Sequence, residues 1–247
     1  MSEKTNKPYT VGIMQPYFMP YIGYWQHINA VDTYVLYDDV NFIKRGWINR
    51  NRILNNGKEY LFTLPLLNAS QNRLICEHKF VDEADKQKLW GVVSNAYRRS
   101  PEWKNVSELM KEIILFPSMD LTEYIYNATV KVCEYLDIKT KIMLSSELDN
   151  DKTLKAQHKI LDICKMLGAD IYINPSGGVD LYDDILFAEG GVELKFIFPV
   201  LNEYEQQAEE FIPGLSMIDV LFSVPREELI EKLKECNIKT KDEIQED

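Results

Sequence analysis

Apolar and polar positions change period repeatedly along the chain. YTVGIM, starting at Tyr9, is a β-rich run that stops at QPYFMP, where Pro16 and Pro20 prevent a simple strand from continuing. YIGYWQHINAV then sets Tyr21, Tyr24, Trp25 and Ile28 at helical spacing, and TYVLYDD is a second strand-like run. Strand, loop, helix and strand in that order make a βαβ unit. Such a unit predicts a parallel sheet with its binding crevice at the strand C-terminal ends, where QPYFMP and the Asp38–Asp39 pair fall.

Further along, NNGKEYLFTLPL reads as a turn followed by a strand, with RLICEHKFV as that strand's partner. From Glu83 to Leu136 the period becomes helical, in three segments punctuated at Pro101 and Pro117. Alternation resumes with KIMLSS as a strand, LKAQHKILDICKML as an amphipathic helix closed by Gly168, DIYINP as a strand, an SGG turn, a short helix and VELKFIF as a strand. The expected fold is α/β, a mainly parallel Rossmann-like sheet flanked by helices. Residues 1–82 and 140–224 supply the two halves of the core, 83–139 a helical insertion or cap, and 225–247 a helix with a charged tail expected to fray.

Composition narrows the functions open to such a fold. The formal charge of -11 argues against general nucleic-acid binding, because phosphate backbones would be repelled by most of the surface, yet a local anionic ligand is still allowed. No apolar run is long enough to span a membrane, and MSEKTNK is not followed by the apolar segment of a signal peptide, so a cytoplasmic protein is expected. Cys76, Cys133, Cys164 and Cys236 are widely scattered and read as reduced thiols.

Against that acidic background, DDVNFIKRGWINRNR gathers Lys44, Arg45, Arg50 and Arg52 around Trp47. Guanidinium forks and an ammonium suit phosphates, Trp47 can stack on a base or sugar ring, and Asn49 and Asn51 can bond hydroxyls. Asp38 and Asp39 can hold a hydrated Mg²⁺, act as base, or pair with the neighbouring bases. An anion pocket for one diphosphate ligand explains the cluster at once, and it requires Lys44, Arg45, Trp47 and Arg50 to face one cavity with Gln15. The competing reading is a solvated hairpin laced with salt bridges.

Other segments carry weaker signals. QPYFMPYIGY holds Gln15 in a stiff frame with Tyr17, Gly23 and Tyr24, but has neither GxGxxG nor GxxxxGK[ST], and a rigid packing turn explains it equally well. In YINPSGGVDLYD, Gly177 and Gly178 free the backbone to approach a ligand and Ser176 can cap a helix or bond a phosphate. Tyr204, Gln206, Ser216 and Asp219 are candidate polar contacts, although Ser216 reads first as the N-cap of a helix starting at Met217. His27, His78 and His158 form no metal-binding pattern. His158 can serve as acid or base if its helix face lines the crevice.

The run VGIMQPYFMPYIGYWQHINAVDTYVLYDDVNFIKRGWINRNRI, followed by SSEL, ILDICKMLGADIYINPSGG and FIPGLSMIDVLF, resembles the WbqC-like family of bacterial proteins. The resemblance covers nearly the whole chain apart from the charged tail. It implies a role in the biosynthesis of O-antigen or a related surface polysaccharide, in clusters that make nucleotide-linked amino sugars. Its pattern falls on Gln15, Pro16, Tyr17, Pro20, Gly23 and Tyr24, on Asp38, Asp39, Lys44, Arg45, Trp47, Asn49, Arg50 and Asn51, and later on Ser145, Ser146, Gly177, Gly178, Tyr182, Tyr204, Gln206, Ser216 and Asp219. Many relatives carry Asn soon after the DVLF-like stretch, where this chain reads SVPREE.

Residues and resemblance together lead to an enzyme that attaches an amino-acyl group such as glycine to the amine of a dTDP- or UDP-linked sugar. The acyl donor is expected to be activated by ATP with Mg²⁺, through a distant likeness of the first motif to HIGH-type nucleotidyltransferases, or to arrive on an aminoacyl-tRNA. Asp38, Asp39 or His158 would take the proton from the amine. A glycosyltransferase using the same diphosphate pocket and a non-catalytic pathway partner are the alternatives, and a homodimer is admitted.

Overall fold

The structure, a computed structural model, describes residues 7–246, so MSEKTN and Asp247 lie outside it. In chain order, β1 (Thr10–Met14) leads through α1 (Ile22–Asn29) to β2 (Thr33–Leu36), then to a hairpin of β3 (Arg50–Asn55) and β4 (Lys58–Thr63). Three helices follow, α2 (Ala84–Tyr97), α3 (Trp103–Ile114) and α4 (Leu121–Tyr135). The chain continues as β5 (Lys141–Leu144), α5 (Ala156–Leu167), β6 (Ile171–Pro175), α6 (Asp184–Glu189) and β7 (Glu193–Pro199). It closes with α7 (Met217–Ser223), α8 (Arg226–Lys232), β8 (Cys236–Lys239) and α9 (Lys241–Gln245).

The main sheet runs β5-β2-β1-β6-β7-β8, parallel throughout except for β8, which pairs antiparallel with β7. The fold is therefore α/β with a mainly parallel sheet. Successive strand residues serve opposite faces, as the pleat requires. Tyr34, Leu36, Ile173 and Ile197 enter one core with α1 and the three central helices, whereas Val35, Tyr172 and Phe196 join Ile160, Ile163 and Phe187 in the other. From β1 the chain first fills one side of the sheet and then returns to β6 beside β1. That reversal puts the topological switch point between β1 and β6, whose C-terminal ends are the usual ligand position in such sheets.

Local signals account for most boundaries. Gly168 closes α5 in the left-handed region, φ 71°, which glycine enters without a Cβ clash. Asn56 and Gly57, at φ 53° and 72°, make the two-residue turn of the hairpin. That turn also corrects the expected pairing. A tight turn joins the strands on either side of it, so β4 pairs with Arg50–Asn55 and not with RLICEHKFV. RLICEHKFV instead forms a short 3-10 turn at Ile75–Glu77 and isolated bridges from Leu74, Lys79 and Phe80, the last to Leu66, so the expected pairing survives only at the end of NNGKEYLFTLPL.

The C-terminal tail departs from expectation too. Cys236–Lys239 adds an edge strand to β7, and α9 begins with a capping box between Thr240 and Glu243. All four cysteines are free thiols. No helix among the described residues is long and apolar enough to cross a membrane.

Candidate functional site

Strand ends place Asp38 and Asp39 just beyond β2, beside Ser145 and Ser146 just beyond β5. β2 and β5 pair in register through Leu36 and Leu144, which brings the two polar pairs side by side. Asp38 is fully buried. Ser146 satisfies it with its amide to Oδ1 at 2.8 Å and its hydroxyl to Oδ2 at 2.7 Å. Ser145 Oγ lies 3.0 Å from Asp38 Oδ1 and 2.5 Å from Asp39 Oδ1, so one hydroxyl proton serves two carboxylates.

Two lysines neutralise Asp39. Lys159, from α5, brings Nζ to 2.8 Å from Oδ2 and 3.1 Å from the Asp39 carbonyl, and lies 5.1 Å from the centre of the Tyr37 ring. Lys152 approaches Oδ2 at 3.1 Å while donating to Ser145 O and to Asn150 Oδ1. Burial opposes ionisation of Asp39, but the bonds from Lys159, Ser145 and Lys152 outweigh it and hold its pKa below the ordinary value. A carboxylate held this way is a weak proton acceptor and a firm anchor. Nor do the two acids leave oxygens free as a Mg²⁺ site needs, since the lysines and serines occupy them.

Beside this network a cavity of about 720 Å³ opens between α4 and the ends of β2 and β5, within the roughly 300–1,000 Å³ common for small-molecule sites. Asp38 and Ser146 form its floor, Phe116, Tyr126, Val130 and Leu144 its apolar walls, and Asp120, Glu123 and Glu147 its acidic edge. Cys76 also lines it. Burial first, then Asp38, Asp39 and Glu77, push the Cys76 thiol up to about 11.

The basic segment behaves differently from the one-ligand expectation. Lys44 and Arg45 are exposed on a turn, and the Arg50 guanidinium folds back onto the carbonyls of Gly46 and Arg45. Asn49 donates to Leu64 O at 2.7 Å. Trp47 is flanked by the guanidiniums of Arg50 and Arg52, each 5.5 Å from its ring, and lines a smaller pocket of about 350 Å³ with Tyr17, Tyr21, Asn51 and Arg52. Gln15 lies elsewhere, at the end of β1, its carbonyl accepting from Tyr24 Oη. The cluster does not converge on one cavity, because Arg50 turns to backbone carbonyls, Arg52 to Glu59 and Gly214 O, and Lys44 and Arg45 stay exposed.

Several motif residues instead hold the loop after β1. Met19 sits at φ 49°, a strained position for a residue with a side chain. Asn51 Nδ2 donates to Phe18 O and Met19 O, and Ser216 Oγ donates to Met19 O at 2.6 Å while accepting from Ile218 N as the N-cap of α7. Tyr97 and Tyr204 donate to the two oxygens of buried Asp219, at 2.7 and 2.8 Å. Burial raises the Asp219 pKa, and the phenols oppose that rise. Gln206 bonds the amide and carbonyl of Ile212, closing its own loop.

At the switch point, β1 and β6 pair through Gly12 and Ile173, so Gln15 and Ser176 follow neighbouring strand ends. Gly177 is exposed with nothing near the position of a Cβ, leaving its backbone open to a ligand, whereas a Cβ on Gly178 would meet Asn174 at 2.0 Å. His158 is exposed, whereas its neighbour Lys159 is buried with Ile160, Leu161, Ile163 and Cys164 of the same helix. The sequence reading missed Lys152 and Lys159, together with Thr122 and Asn127 of the cavity. The signal for Lys159 was there: it interrupts an apolar face between Ala156 and Ile160, Ile163 and Cys164.

An α/β chain with a polar network and a cavity at its strand ends has the layout of a small-molecule site. The sequence matches the model of the WbqC-like protein family over residues 15–231, and the chain belongs to that family. It is similar to the uncharacterized protein Rv1507c of Mycobacterium tuberculosis, at 26% identity over 225 residues, covering 88% of this chain and 94% of the relative. No solved structure matches it.

Proposed function

We propose that the protein acts on a nucleotide-linked amino sugar in the biosynthesis of O-antigen or a related surface polysaccharide, joining an amino-acyl group such as glycine to the sugar amine. The carrying observation is the division at the end of β2: Asp39 is clamped by Lys159 and Lys152, while the adjoining cavity, floored by Asp38, is edged by carboxylates. A ligand with an amine at one end and phosphates at the other suits a carboxylate-edged cavity at the strand ends of a parallel sheet. The exposed backbone at Gly177, after β6, supports the phosphate side of this reading.

In the reaction, the amine nitrogen attacks the acyl carbon of an activated donor, either an acyl group activated by ATP or an aminoacyl ester. The C–N bond forms, the bond from acyl carbon to its carrier oxygen breaks, and the nitrogen loses one proton. Glu147, Glu123 and Asp120 edge the cavity and are the acceptors for that proton, since Asp39 is engaged and His158 faces outward. A thermal-shift series with UDP- and dTDP-linked amino sugars, and the same nucleotides carrying a hydroxyl in place of the amine, tests substrate class. The amino forms should raise the melting temperature more than the hydroxyl forms. No shift with any nucleotide sugar would overturn the reading.

A further inference from the structure

Two polar atoms in the cavity wall are buried without a partner: Thr122 Oγ1 and Asn127 Nδ2. Thr122 is 3% exposed, and both residues lie on α4 and line the cavity that Asp38 and Ser146 floor. Orphaned buried donors are costly, and most are satisfied by protein, water or ligand. An amide NH₂ requires an acceptor oxygen, and a hydroxyl can either donate or accept. The same cavity is lined by the carboxylates of Asp120, Glu123 and Glu147, with no lysine or arginine among the described lining residues. Asp120 is partly engaged in capping α4, and Glu123 accepts from Ser118 Oγ. Phe116, Tyr126, Val130 and Leu144 add apolar surface suited to the C–H face of a ring.

The geometry points to this cavity as the pocket for an amino-sugar ring itself: ammonium or amine toward the carboxylate edge, ring hydroxyls on Asn127 and Thr122, apolar ring face on Tyr126 and Phe116. This rests on the proposed substrate class and adds where the sugar sits and which residues recognise it. The pocket discriminates by charge and by hydrogen bonding together. A neutral hexose leaves the carboxylates without a cation, and a simple alkylamine leaves Asn127 without an acceptor.

The test uses free sugars, so that it does not depend on nucleotide binding or on turnover. Methyl glycosides of 2-, 3- and 4-aminohexoses, with methyl glucoside and butylamine as controls, are titrated onto the ¹⁵N-labelled full chain. At least one aminohexoside should bind saturably, shift amides of α4 and Ser146, and bind at least tenfold more tightly than either control. Asn127→Leu and Thr122→Val should each weaken it about tenfold, as expected for loss of one hydrogen bond of about 1.4 kcal/mol, and unchanged amide spectra elsewhere will show that the variants fold. Equal binding of methyl glucoside, shifts mapping away from α4, or unaltered affinity in both folded variants would overturn the assignment. Free-sugar binding here without any nucleotide-sugar shift would support the pocket while overturning the nucleotide-linked substrate.

Discussion

Lys159 Nζ reaches Asp39 Oδ2 at 2.8 Å, tying α5 to the C-terminal end of β2 through side chains that are 6% and 7% exposed. Removing one member of a buried pair typically costs about 3–5 kcal/mol, and Lys152 remains to share the Asp39 charge. Lys159→Met should therefore cost about 2–3 kcal/mol in urea unfolding, by the same measure. Lys159→Met with Asp39→Asn should cost less than the sum of the single changes, because the double variant no longer buries an uncompensated charge. Additive losses would mean that the pair is not coupled.

Acid titration separates two buried carboxylates by sign. Asp39 has a depressed pKa when folded, so its contribution is complete above the unfolded value of about 3.9 and is lost as pH falls through the folded value. Asp219 has a raised pKa when folded, so the folded state favours its protonated form, and that advantage declines as pH rises from about 3.9 through the folded value. Measured against the wild type, the stability deficit of Asp39→Asn should grow with rising pH across the acid limb, while that of Asp219→Asn should shrink. Parallel curves for the two variants would refute the assignment.

Asn51→Leu should cost about 2–3 kcal/mol, since it leaves the carbonyls of Phe18 and Met19 without their side-chain donor in a buried loop. The loss should appear in chemical denaturation, with Ser216→Ala adding less in the Asn51→Leu background than alone, because both residues hold Met19.

With its thiol pushed up to about 11, Cys76 should be almost entirely protonated at pH 8, with a thiolate fraction of about one in a thousand. Peptide mapping after brief iodoacetamide treatment should find it alkylated far more slowly than a free cysteine. Alkylation at the rate of an unperturbed thiol would contradict the electrostatic setting at the cavity floor.

Short-range pattern carried the βαβ start, the three central helices and the Gly168 stop, because each rests on local period or a single conformational requirement. The basic segment misled for a physical reason. Composition shows charge but not where a guanidinium turns, and Arg50 turns to its own loop. Asp38 and Asp39 were legible as strand-end acids, but their partners Lys152 and Lys159 lie more than a hundred residues away, brought close only by the pairing of β2 with β5 and the docking of α5. Edge strand β8 was hidden in a charged tail, since an edge needs only one apolar face and tolerates lysine.

The central claim is tested most directly by mass spectrometry of nucleotide-linked amino sugars incubated with the purified chain and either glycine, ATP and Mg²⁺ or glycyl-tRNA. The account predicts a product heavier by one glycyl residue with the nucleotide still attached, formed from amino sugars but not from their hydroxyl counterparts. Release of free nucleotide with transfer of the sugar would contradict it in favour of glycosyl transfer, and unchanged substrates with every donor would contradict the acylation outright.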